Sequence, residues 1–439
     1  SRSNARATGP LEVTQRRQAF WPSGSRFFWV PAIRWSVRPF RNTLAGCNCS
    51  LTSPVLGKSV MTPKITRFLA EQQPATPCLV VDLDVVESNY RALHDALPAG
   101  KIYYAIKANP APSILKRLVA LGSSFDAASL EEIRMCLKAG ATPDRISYGN
   151  TLKKVGAIRE ARDMGIDLFV LDSMEELEKI AENAPGARVF CRLAVENEGA
   201  DWPLSRKFGT TIAHARDLMI RARDLGLHPY GLSFHVGSQQ TGIAAYQHAI
   251  ATAARLYHEL RAEGLDLQMI NLGGGFPTHY REDIPSVQEF GAAIQAALRE
   301  HFPDGQPEVL LEPGRYMVGQ AGVVSSEVIL VSRRGGAETD PRWVYLDIGR
   351  FGGLAETEGE AIRYTFRTSR DDTDSSRSPC VVAGPSCDGV DILYEKNRIP
   401  LPNSLKSGDR IEILATGAYV STYCSVGFNG FPPLTEHYI

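Results

Sequence analysis

The chain has no Cys-x-x-Cys pair and no histidine spacing that would assemble a zinc site, so no metal is expected. Its eight cysteines, Cys47, Cys49, Cys78, Cys136, Cys191, Cys380, Cys387 and Cys424, are scattered along 439 residues. In a chain of this length they read as free thiols in a reducing compartment, and a cytoplasmic location is the expectation. No uninterrupted apolar run approaches the roughly 18 residues of a membrane-spanning helix, and none is expected. A dominant charge is missing as well: 48 Lys and Arg stand against 49 Asp and Glu, a formal net charge of -1, which gives no electrostatic footprint for nucleic acid. The G-x-G-x-x-G dinucleotide spacing is absent.

What is present is a core-forming composition, 44% hydrophobic and 22% charged, long enough for two domains. Residues 1–60 differ from the rest. They carry arginines at positions 2, 6, 16, 17, 26, 34, 38 and 41 against one acid, Glu12, and show no period of either kind. They are expected to be disordered or a non-native extension, with Met61 as the true start; an Arg-rich transit peptide is the minority alternative.

From about residue 96 to 317, short β-branched or aromatic runs alternate with longer amphipathic stretches, the pattern of repeated βα units and a parallel sheet. The runs are 102–106, 124–125, 146–148, 168–171, 189–193, 232–234, 269–272 and 309–311. Eight is the number that closes a TIM barrel, whose active sites lie at the C-terminal ends of the strands. At those ends stand Lys107, Asp126, Asn150, Asp172, Arg192, His235, Gly273 and Glu312. A helix cap or loop role is the better reading for Asn150 and Asp172.

After residue 318, short alternating strands with Gly, Pro and Ser punctuation, including 323–331, 343–347, 410–414 and 416–420, predict an all-β domain over 318–439. Within the N-terminal segment 61–95, residues 78–82 are strand-like and suited to pair with that domain. Residues 373–378 read as a mobile loop.

Tyr103-Tyr104-Ala105-Ile106-Lys107-Ala108-Asn109 ends a buried strand in lysine. An ammonium there must be paired, deprotonated or used covalently, and a desolvated lysine of lowered pKa is what Schiff-base chemistry needs. Gly273-Gly274-Gly275 follows the seventh run, where glycines let backbone N–H groups close on a phosphate. Either feature alone would be read as a solvated strand-end lysine and a plain turn.

Together with Phe125-Asp126-Ala127-Ala128-Ser129, His235-Val236-Gly237-Ser238-Gln239, Glu312-Pro313-Gly314-Arg315-Tyr316, Gly384-Pro385-Ser386-Cys387-Asp388-Gly389 and Gly417-Ala418-Tyr419, these stretches resemble the fold-type III pyridoxal-phosphate decarboxylases of basic amino acids. That family includes ornithine, lysine, arginine and diaminopimelate decarboxylases. The resemblance spans about residues 75 to 435, in order. It implies an α/β fold, a TIM-like barrel of the alanine-racemase kind with a C-terminal all-β domain.

It also implies roles. Lys107 would carry pyridoxal phosphate; Gly273, Gly274, Gly275, Ser238, Gly314, Arg315 and Tyr419 would surround the phosphate. Glu312 would face the ring nitrogen and keep it protonated, an electron sink. His235 would stack on the ring, and Asp126 and Arg192 would support it. Read without the family, Glu312 would be an ion-pair partner of Arg315, and Cys387 a small buried hydrophobe. By the resemblance, Cys387 returns a proton to the former α-carbon and Asp388 takes the distal amine of the substrate. Both act across a two-fold homodimer with shared sites.

A terminal ammonium calls for an acid, which Asp388 supplies, whereas diaminopimelate decarboxylases usually show Cys-Glu-Ser there. The expected reaction is L-ornithine to putrescine, a step of polyamine synthesis, with L-lysine second. Lysine or diaminopimelate decarboxylation is the alternative, and the chain's modest length counts against arginine. The chain departs from eukaryotic ornithine decarboxylases at Phe351-Gly352-Gly353-Leu354, followed by Glu356, Glu358 and Glu360. Phe351 is expected near the substrate, with Glu360 as its second acid. A catalytically dead, partner-binding relative is a distant alternative, disfavoured by the presence of Lys107, His235, Glu312, Arg315, Cys387 and Asp388.

Overall fold

The structure is a computed structural model and describes residues 61–196, 199–202 and 207–439. The expectation for residues 1–60 lies outside the described residues. Strand β1 (Cys78–Val81) precedes β2 (Gly100–Ala105), β3 (Ser124–Ala127), β4 (Ile146–Tyr148), β5 (Leu168–Leu171), β6 (Arg188–Arg192), β7 (Ala200–Trp202), β8 (His228–Ser233), β9 (Ser238–Gln240), β10 (Met269–Asn271) and β11 (Glu308–Leu311). A closed barrel runs in the order β10-β11-β2-β3-β4-β5-β6-β8, every neighbour parallel, while β7 and β9 form a separate antiparallel ribbon. All eight apolar runs are barrel strands.

The period-2 alternation divides each strand. Tyr103, Leu168, Val170, Phe190, Met269 and Leu310 point inward and fill the barrel as one buried cluster. Tyr104, Phe125, Phe169, Leu171, Val189, Cys191, Ile270 and Leu311 point outward under the helices. Each fully buried large side chain of this kind contributes about 1.5–3 kcal/mol. The intervening helices start by a repeated local rule. Ser129, Ser173 and Ser286 accept from the backbone N–H of Glu132, Glu176 and Glu289, and the last pair forms a reciprocal capping box.

Beyond the barrel come β12 (Gly322–Arg333), β13 (Arg342–Leu346), β14 (Thr365–Thr368), β15 (Arg377–Ala383), β16 (Ile392–Pro402), β17 (Arg410–Leu414) and β18 (Thr435–Tyr438), in one sheet ordered β14-β17-β12-β13-β15-β16. Strand β1 joins this sheet and not the barrel: it pairs antiparallel with β12, Val80 opposite Val323, and parallel with β18, Val80 opposite His437. Residues 416–420 are not a strand. Gly417 is pressed against the backbone of Val318 and Gly322, and both Ala415 (φ 60°) and Tyr419 (φ 57°) adopt left-handed backbone. This kinked passage returns the chain to the barrel mouth, where the Tyr419 N–H donates to Ala108 O at 2.8 Å. Strand β15 starts at Arg377, inside the stretch read as a loop.

Candidate active site

One cavity at the C-terminal mouth of the barrel is lined by Ala105, Lys107, His235, Ser238, Gly275, Phe276, Glu312, Gly314, Arg315 and Tyr419. Lys107 sits in a single tight turn, Ile106–Ala108, just past β2, and its carbonyl accepts from Thr422 Oγ1 at 3.0 Å. Solvent reaches Lys107 through the mouth, but protein surrounds its amine. That burial pulls the ammonium's pKa down, while Tyr419, Asp126 and Glu312 push it up and prevail. The expectation of a lowered lysine pKa is therefore corrected: the polar groups around Lys107 outweigh desolvation.

Asp126 and Glu312 both act electrostatically on Lys107. Asp126 accepts from Ser147 Oγ at 3.3 Å, and Gly149 leaves it room, since a Cβ there would fall 1.5 Å from its Oδ1. Glu312 accepts from Asn271 Nδ2 at 2.5 Å. Burial raises both carboxyl pKa values, and Asp126 further raises that of Glu312, so the pair favours holding a proton. Glu312 does not pair with Arg315, whose carboxylate partner is Glu356. Arg192 closes β6 with its guanidinium 5.1 Å from the Phe208 ring.

His235 is neutral. Burial, Arg192 and Lys107 push its pKa well below the ordinary range, and its Nδ1 accepts from the Gly237 N–H at 3.0 Å, which leaves the proton on Nε2. The three glycines are each required by space. An added Cβ would lie 2.1 Å from Phe234 O at Gly273, 2.5 Å from Glu312 O at Gly274 and 2.5 Å from Gly237 O at Gly275, with Gly273 at φ 65° and Gly275 at φ 112°. At Gly314 a Cβ would meet Ala108 and the Tyr419 hydroxyl at 3.1 Å. Such a side-chain-free cradle beside Ser238, Arg315 and Tyr419 fits a phosphate, and a lysine facing a buried acid fits an aldehyde on a protonated pyridine ring.

Cys387 and Asp388 do not line the cavity. Both are exposed, and so Cys387 is not a core residue. They are tied to the mouth through one segment: Tyr419 in the cavity, Thr422 on Lys107, Ser425 N–H donating to Phe351 O at 2.9 Å, the Phe428 ring 4.5 Å from that of Phe351, and Asn429 Oδ1 accepting from the Cys387 N–H at 2.8 Å. Glu360 is a correction. Its carboxylate accepts the backbone N–H groups of Glu395, Lys396 and Asn397 and the Asn397 side chain, so it clamps a bend of β16 and has no capacity for substrate. Asn150 and Asp172 bear out the loop reading: Asn150 Oδ1 accepts from the Leu152 N–H, and Asp172 Oδ2 from the Gly209 N–H.

Sequence reasoning passed over Asn271, Tyr280 and Phe276, and it did not anticipate Glu356 as the partner of Arg315. A polar Asn closing an otherwise apolar strand was the available signal for Asn271. Nothing local separates Glu356 from Glu360.

The pyridoxal-binding domain of the pyridoxal-dependent decarboxylases matches residues 83–319. The chain is similar to a lysine/ornithine decarboxylase of Selenomonas ruminantium, 36% identical over 375 residues that cover 84% of this chain and 91% of that protein. A solved lysine/ornithine decarboxylase from Vibrio vulnificus, complexed with putrescine, superposes with a TM-score of 0.77 at 31% identity, covering 87% of this chain and 99% of that one. The arginine decarboxylase of Paramecium bursaria Chlorella virus gives 0.79 at 27% identity, covering 86% and 100%. That chain aligns along its whole length, so length does not count against arginine.

Proposed function

Because this chain belongs to the pyridoxal-dependent decarboxylases acting on basic amino acids, we propose that it converts L-ornithine to putrescine, with L-lysine to cadaverine as a second reaction. The observation that carries the reading is the convergence of Lys107, His235, Glu312, Gly275 and Gly314 on a single cavity. Bound pyridoxal phosphate supplies a cationic ring that draws in the electrons released with carbon dioxide. Lys107 Nζ would hold the cofactor's aldehyde carbon, Glu312 the proton at its ring nitrogen, and neutral His235 would lie against the ring face. Asp126 and Arg192 would support the ring, and Gly273, Gly274, Gly275, Ser238, Gly314, Arg315 and Tyr419 would surround the phosphate. The basic-substrate preference rests on Asp388 beside Cys387.

A second copy of the chain would supply Cys387 Sγ as proton donor and Asp388 for the distal ammonium. The loops around them leave Val390, Tyr423, Val426 and Phe431 between 42% and 78% exposed, apolar surface that a second copy would cover. Phe351 borders that surface through Phe428.

The test is direct. Protein incubated with pyridoxal phosphate and ornithine, lysine, arginine or diaminopimelate should form putrescine fastest and cadaverine second, and Lys107→Ala should form neither. Borohydride reduction and peptide mapping should place the cofactor on Lys107. Faster production of agmatine, or of lysine from diaminopimelate, would overturn the substrate assignment.

A further inference from the structure

Arg315 is buried and has five N–H donors, and every one meets a protein acceptor. Nε and Nη2 share Ser238 Oγ at 3.3 and 3.2 Å, Nη1 reaches the Tyr280 hydroxyl at 2.8 Å, and Nη1 and Nη2 together grip Glu356 at 2.8 and 2.5 Å. The Tyr419 ring packs 4.9 Å from the guanidinium. Glu356 is itself buried, and its backbone is fixed by the Ile362 N–H donating to its carbonyl. A phosphate reaching Arg315 therefore finds a charge already neutralised and donors already committed.

The geometry points to Glu356 as a resident counter-anion that cancels Arg315 and competes electrostatically with the cofactor's phosphate. This rests on the reading that Ser238, Gly275, Arg315 and Tyr419 surround that phosphate. Glu356 locks the guanidinium in place and at the same time limits how tightly the phosphate is held. The neutral donors then carry recognition: Ser238 accepts from Arg315 and has its own O–H to give, and the backbone N–H groups of Gly274 and Gly275 do the rest, that of Gly273 being held by Asn271 Oδ1. Removing the negative charge of Glu356 while keeping its shape leaves a buried cation that only an anion satisfies. Phosphate binding should then strengthen.

The full chain, stripped of cofactor by dialysis, is titrated with pyridoxal phosphate, pyridoxal and inorganic phosphate, following tryptophan fluorescence and Tm. In Glu356→Gln the affinity for pyridoxal phosphate should rise by about tenfold or more, the Tm gain with inorganic phosphate should exceed that of wild type, and pyridoxal binding should stay unchanged. Glu356→Asp, which keeps the charge, should remain near wild type. If Glu356→Gln is unfolded in phosphate-free buffer, millimolar inorganic phosphate should restore its fold and sodium chloride should not; failure of that rescue overturns the proposal. Unchanged or weaker pyridoxal phosphate binding in a folded Glu356→Gln overturns it too, and makes Glu356 a strut alone. A wild-type protein that bound pyridoxal as tightly as pyridoxal phosphate would instead defeat the phosphate-site reading beneath it.

Discussion

At the scale of single residues, the site is built as much by missing atoms as by functional groups. Gly274 brings the carbonyl of Glu312 within 2.5 Å and His235 Nε2 within 3.1 Å of where a Cβ would stand. Backbone on one side and a functional ring on the other leave no direction in which to yield. Gly274→Ala should therefore displace Glu312 or His235 and weaken pyridoxal phosphate binding by at least about tenfold, as equilibrium dialysis would measure. Alanine at Gly156, where no atom lies within 4 Å, should bind normally. The glycine run and the strand-end lysine were legible in the sequence because composition alone marks them. The direction of the Lys107 shift was not, since it depends on Tyr419, Asp126 and Glu312, groups distant in the chain that only the finished fold brings near.

Among the elements, strand ends were readable and their partners were less so. The period-2 runs located all eight barrel strands, whereas residues 416–420 alternate like a strand and yet fold as a kinked return. The conflict is decided by packing, since Gly417 is jammed against Val318 O and no straight strand fits. A second feature invisible to pattern lies between β4 and β5. Lys153, fully buried, donates to Asn150 O and Val170 O at 2.7 Å and pairs with Glu176 at 2.9 Å. Burial lowers its pKa from 10.5 to about 8, against the pull of Glu176.

Between those two values the unfolded chain binds more protons than the folded one, so this residue's contribution to stability rises with pH across that window. Urea midpoints at pH 7.5 and 9.5 should show the wild type gaining on Lys153→Met over that interval. A constant gap between the two proteins would remove the effect. Lys153→Ala, which leaves Glu176 with Lys179 as its ion-pair partner and empties the space, should destabilise the chain by about 3 kcal/mol at pH 7.5.

In the whole molecule, the proposed two-fold assembly makes a prediction that no single-chain reading makes. Lys107→Ala and Cys387→Ala, each inactive or nearly so, should regain activity when mixed, because half of a random dimer population is mixed and each mixed dimer holds one intact site. The expected recovery is about a quarter of wild type. No recovery after subunit exchange, verified by native mass spectrometry, would place each site within one chain. A charge at Val426, the most exposed of the large hydrophobics among the described residues, as in Val426→Asp, should shift the sedimentation profile toward the monomer.

The crossing of the chain between its two halves bears on how the molecule can be cut. Strand β1 lies in the sheet of the β region, Tyr438 donates to Asn109 Oδ1 at 3.1 Å just past Lys107, and Tyr419 and Glu356 reach the barrel mouth from beyond residue 350. Neither half is a self-sufficient module. A gene fragment ending near residue 319 would encode eight strands with an unfinished rim, and chimaeras joined at that point would inherit mismatched walls unless both segments came from the same parent.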